Sequence, residues 1–174
     1  MSEIKPYAQG TEVSAARSRG EIEDLCQKFG ARQFMSGYDD EMLVGHIAFV
    51  FNGHGIRFVV KLLPPDNRRF TETRRKNSPY VQTRSDAAAK KAWEAHKREQ
   101  WRAMALSIKA KFVAVVSGVA MFEEEFMANI VSADGRTLGE AILPQIEEFK
   151  GAPTLSLALP SGDYSQPEQN GGNV

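Results

Sequence analysis

The side chains best equipped to act on a partner are basic, and they are gathered in the middle of the chain. Between Arg57 and Lys111 there are fifteen Lys and Arg against five acids, while residues 1–56 carry −3 and residues 112–174 carry −7. The formal net charge of zero therefore hides a strongly polarised chain, and such asymmetry points to a polyanionic partner. Phosphates reward clustered Lys and Arg through counterion release, and unpaired bases stack on aromatic rings for about 1–3 kcal/mol each. The candidate contacts are Arg57 and Lys61, then Arg68, Arg69, Arg74, Arg75, Lys76 and Arg84, then Lys91, Arg98, Arg102 and Lys109, with Phe70 and Tyr80 as stacking rings. The competing reading is a solvated basic face that balances acidic patches in this protein or in a twin subunit.

Other chemistries find less support. His46, His54 and His96 are the only histidines, and no H-E-x-x-H or comparable ligand spacing joins them. Glu123, Glu124 and Glu125 are consecutive; on a helix they point about 100° apart, so they cannot all converge on one ion. They read instead as a first helical turn favoured by the helix dipole. The single Cys26 excludes an internal disulfide and reads as a buried structural thiol. No G-x-S-x-G, glycine-rich phosphate loop or cysteine–histidine motif is present. The expectation is a binding protein without catalytic residues, metal or cofactor.

The elements that must position the basic residues follow from periodicity. Residues 1–13 have none and read as an arm, with a short strand at Thr11–Val13. Ser18 and Glu21 have capping-box spacing, and Ile22, Leu25, Cys26 and Phe29 follow on one face of a helix that Gly30 closes. Three antiparallel strands come next, at Arg32–Tyr38, Met42–Phe51 and Ile56–Leu63, with a turn at Asp39-Asp40 and a tight connection at Asn52-Gly53-His54-Gly55. Alternation places Ile56, Phe58, Val60 and Leu62 on the core side, and Arg57 and Lys61 on the other. Pro64-Pro65 ends the sheet. The basic stretch 64–84 then reads as a loop without structure of its own, expected to be mobile.

Ser85 caps the longest helix, 85–116, about 45 Å long at ~1.5 Å per residue. Trp93, Trp101, Met104, Ile108, Phe112 and Val115 form its core stripe, and Lys91, Arg98, Arg102 and Lys109 an adjoining basic row. Beyond it come a short segment with Phe122, Phe126 and Ile130 on one side and a turn at Asp134-Gly135. A last helix is opened by Thr137 and Glu140, which Pro144 should kink or shorten. The fold expected is α+β: a three-stranded antiparallel sheet, four-stranded if the arm adds to it, with helices on one face. The domain spans 14–150, and 151–174 reads as a flexible tail with an apolar patch at Leu155–Leu159. No apolar run approaches the ~18 residues of a membrane span, and the N-terminus lacks a signal-peptide layout, so a cytoplasmic protein is expected.

Several short blocks carry a resemblance. Ser18-x-x-Glu21-Ile22-Glu23 with Gly30-Ala31, Trp101-Arg102-Ala103, Ile108-Lys109-Ala110-Lys111, Phe122-Glu-Glu-Glu-Phe126, Asp134-Gly135-x-Thr137 and Leu143-Pro144-Gln145-Ile146 resemble a group of small uncharacterised proteins of tailed bacteriophages and prophages. The likeness covers about residues 13–149. It implies a context only: a phage product in the bacterial cytoplasm, serving genome replication, recombination or evasion of host defence. The reading that combines residues and context is a non-enzymatic binder of single-stranded nucleic acid, DNA ahead of RNA, able to self-associate. The alternative is a protein-interaction module, an inhibitor or adaptor of a host or phage protein, using the basic face or the tail.

Overall fold

The computed structural model describes residues 8–74 and 80–146. Asn52 and Gly53 both take positive φ, 48° and 77°, the turn geometry whose twist matches that of flanking strands. They join β2 (Val44–Phe51) to β3 (His54–Lys61), with Phe51 opposite His54 and Val44 opposite Lys61. The connection is thus two residues rather than four. β1 (Arg32–Asp39) pairs with the other side of β2, giving the antiparallel order β1-β2-β3. Asp39 closes the first turn, its Oδ1 accepting from the N–H groups of Glu41 (2.9 Å) and Met42 (2.8 Å). Thr11–Val13 forms no strand, so this sheet stays three-stranded.

α1 (Ala15–Lys28) starts four residues before the expected capping box. Ser14 is the cap, its Oγ accepting from Arg17 N at 3.1 Å. Ser18 therefore lies inside the helix, fully buried, and Glu21 is released to pair with Arg102. The C-terminal end is as read: Gly30 has φ 79° and Ala31 N–H reaches Cys26 O at 2.8 Å.

The long helix α3 (Asp86–Val116) is capped by Ser85, as the sequence indicates. Its buried line is His96, Trp101, Ala105, Ile108 and Phe112, shifted from the expected stripe at its N-terminal end, where His96 replaces Trp93. From Trp101 onward this line forms the core together with Ile22 and Cys26 of α1, Ile47, Phe49, Ile56, Phe58 and Val60 of the sheet, and Phe122 and Phe126. Trp101 lies against Gly45, where an added Cβ would overlap the indole.

In the stretch 64–84, expected to be structureless, the described residues form three short elements. α2 (Arg68–Thr71) leads into β4 (Glu72–Arg74), which pairs antiparallel with β5 (Val81–Thr83). After α3 come α4 (Phe122–Phe126), a 3-10 turn at Met127–Asn129 and α5 (Leu138–Ile146). Glu140 and Thr137 exchange hydrogen bonds at 2.8 and 3.1 Å, the expected capping box, and α5 continues two residues past Pro144. The expected tail, 151–174, lies outside the described residues.

Candidate nucleic-acid interface

Arg68, Arg69 and Arg74 lie on α2 and the β4–β5 pair, Arg84 directly follows β5, and α2 packs against the N-terminal half of α3 through Phe70 and His96, so that these elements form a cap. Asn67 opens α2 by accepting from Arg69 N at 3.0 Å. Phe70 then points inward: it is 2% exposed and its ring lies 5.2 Å from that of His96. Phe70 is therefore an anchor of the cap and cannot stack on a base. Its apolar bulk in a polar stretch is the local reason the segment folds. His96 is buried, and its Nε2 accepts from Leu63 N at 3.4 Å, which leaves the proton on Nδ1, an atom with no hydrogen-bond partner. Burial, assisted by Arg69 and opposed by Glu99, lowers its pKa.

Arg84 is a second correction. Its guanidinium donates to Arg69 O (3.2 Å) and Phe70 O (3.0 Å), and its own N–H donates to Thr71 O at 2.7 Å. It satisfies the carbonyls at the end of α2 and ties the second strand of the hairpin to that helix. Trp93, expected in the core, donates from Nε1 to Leu63 O at 3.0 Å, with Lys97 4.5 Å above its ring. The indole fixes the exit of β3 rather than filling the centre.

Several of the expected phosphate contacts are committed within the protein. Arg57 meets Glu140 at 2.7 Å, so α5 reaches over the side of β3 that alternation assigned to solvent. Arg102 pairs with Glu21 of α1, and Arg98 Nε reaches Thr11 O at 3.4 Å. These two residues fasten α1 and the N-terminal segment to α3, so the basic row is not a continuous rail. Lys91 and Lys109 stay exposed at its ends, about 27 Å apart at ~1.5 Å per residue. Lys61 is exposed at the end of β3.

On the cap itself, Arg68 and Arg69 are exposed, with long ion pairs to Glu72 (3.6 Å) and Glu99 (3.9 Å). Pairs of that length at the surface hold their partners weakly. Arg74 is exposed on β4 opposite Val81, beside Tyr80, which is 76% exposed. Arg75 and Lys76 lie outside the described residues. The cap thus joins Arg68, Arg69, Arg74 and Tyr80 in one structural unit, and separates them from Arg57, Arg98 and Arg102. The parts that sequence reasoning missed are Asn67, His96 and Glu99. The Asn before Arg-Arg-Phe was a helix-cap signal available in the sequence, whereas the two α3 residues were not distinguishable from a solvated face.

No protein-family model, curated protein or solved structure matches this chain. Among the described residues no three His, Cys, Asp or Glu side chains are grouped as metal ligands, and no helix is long and apolar enough to cross a membrane.

Proposed function

We propose that this chain is a non-enzymatic binder of single-stranded nucleic acid, DNA ahead of RNA, acting in the bacterial cytoplasm in phage genome replication or recombination. The support for the reading is that Tyr80 and Arg74 are both exposed on the segment that carries the β4–β5 pairing, and that α2, which runs directly into β4, exposes Arg68 and Arg69. An exposed ring and exposed guanidinium groups carried by one structural unit are the components that bind base and phosphate of a single strand. Arg75 and Lys76 follow Arg74 in the sequence and add to the charge of the segment, and Lys91 is exposed near the start of α3. The test is fluorescence anisotropy with a labelled single-stranded oligonucleotide at low and high salt, with duplex DNA and RNA as competitors. Binding that weakens steeply with salt supports the proposal; no binding at low salt, or affinity indifferent to salt, overturns it.

A second reading, a protein-interaction module, is favoured by α5, which exposes Leu143 (61%) and Ile146 (48%) at the end that leads into the tail. Retention of a stoichiometric acidic protein from nuclease-treated bacterial lysate, together with failure of the anisotropy test, would select it.

A further inference from the structure

β3 has a free edge, and the phase of the sheet says which groups lie on it. Leu62 N–H donates to Leu43 O at 2.9 Å, so even-numbered residues of β3 turn their N–H and C=O toward β2 and odd-numbered ones away. The outward groups near the hairpin are occupied: Gly55 O accepts from Val131 N at 2.8 Å and Arg57 O from Asn129 Nδ2 at 3.1 Å. The next outward residues, Val59 and Lys61, have no such neighbour among the described residues. Beside them runs a groove of about 290 Å³, floored by Phe58 and Val60 and walled by Gln100, Ala103, Met104 and Ser107 of α3. Positions 100, 103, 104 and 107 form one helical face. Two backbone amides and two carbonyls beside an apolar floor make a template for one more strand.

The chain supplies a segment with the matching pattern. Residues 154–159 read Thr-Leu-Ser-Leu-Ala-Leu, with Pro153 before and Pro160 after. Leucine at every second position is strand periodicity, and it puts all three leucines on one face and the small Thr, Ser and Ala side chains on the other. Proline at each end limits any pairing to these six residues and blocks further addition. α5 ends at Ile146 and its Glu140 touches Arg57 of β3, and seven residues separate Ile146 from Thr154. At about 3.3–3.6 Å per residue they span roughly 23–25 Å, against about 13 Å from Arg57 to Lys61.

We propose that Thr154–Leu159 of the same chain adds to the edge of β3 at Val59 and Lys61, with its leucines laid against the Gln100–Ser107 face of α3. This is independent of nucleic-acid binding. The side chains of Val59 and Lys61 stay on the opposite face of the sheet, so an occupied edge leaves Lys61 available.

Amide hydrogen exchange followed by NMR on the full chain tests it, comparing wild type with Ser156→Pro/Leu157→Pro, which removes a donor directed at β3 whichever way the added strand runs and touches no part of the described fold. The Val59 and Lys61 amides should exchange about tenfold or more faster in the variant. A Leu155→Ser/Leu159→Ser variant, which keeps every donor, should show an intermediate increase. Equal rates in wild type and Ser156→Pro/Leu157→Pro overturn the proposal. Protection that is lost over an about hundredfold dilution of wild type also overturns it, since the occupant is then a second copy of the chain.

Discussion

Phe70 and Tyr80 look alike in the sequence, two aromatic residues in one basic stretch, and the fold gives them opposite duties. Phe70 is sealed against His96, whereas Tyr80 is exposed. Phe70→Ala should cost about 3–5 kcal/mol of stability, read by chemical denaturation, and should affect nucleic-acid binding only through loss of the cap. Tyr80→Ala should cost far less stability than Phe70→Ala and weaken single-strand binding by about 1–3 kcal/mol, roughly 5- to 150-fold. His96 adds a pH signature. Its pKa is lowered from the ordinary 6.5, so the unfolded chain binds the proton first as pH falls. The stability due to neutral His96 is complete above pH 6.5 and is lost progressively below it, toward the lowered folded value. In His96→Gln, which retains an acceptor for Leu63 N–H, denaturation midpoints should fall less steeply just below that pH. Cys26, pushed up to about 12 chiefly by burial, should react with thiol reagents only as fast as the fold opens.

Among the elements, the contact of α3 with the sheet depends on Gly45, where Trp101 occupies the space a side chain would need. Gly45→Ala should push the helix from β2 and cost about 1–3 kcal/mol by overpacking, measured as a shift of the denaturation midpoint. Arg84→Gln should loosen the cap instead, raising amide exchange in α2 and β4–β5 and leaving the β1-β2-β3 sheet untouched, because its bonds end on Arg69 and Phe70 carbonyls. The sheet was legible in the sequence because Asn52-Gly53, strand alternation and Pro64-Pro65 act locally and agree. So was α3, from Ser85 onward. The cap was not legible: α2 and its two strands are too short to show a period, and Phe70 gains its burial from His96, twenty-six positions away. The α1 boundary misled for a different reason. Ser14 and Ser18 each precede helix-forming residues, and only the fold shows that Ser18 lies within the helix, on its buried face.

At the scale of the whole molecule, the same partition governs the charge. Sequence alone offers twelve Lys and Arg as phosphate contacts, but Arg57 and Arg102 are held by Glu140 and Glu21, and Arg84 and Arg98 by backbone carbonyls. Pairing of Arg57 also works in reverse: the Thr137 N–H bond, more than Arg57 itself, keeps the Glu140 carboxyl below its ordinary range, so this carboxylate remains charged and α5 stays fastened to β3. Salt dependence can therefore separate a contact surface confined to the cap from one spread along the whole basic segment. With a slope of about −0.7 per phosphate on a single strand, some five contacts give a log–log slope near −3.5, whereas all twelve would approach about −8. The lower slope is expected from anisotropy titrations at several salt concentrations. Arg69→Glu should reduce it further without loss of fold, whereas Arg57→Glu should leave it unchanged and free α5, detected as faster amide exchange in Leu138–Ile146. If instead Arg57→Glu lowers the slope as much as Arg69→Glu does, the contact surface extends across the sheet and the cap is only one end of it.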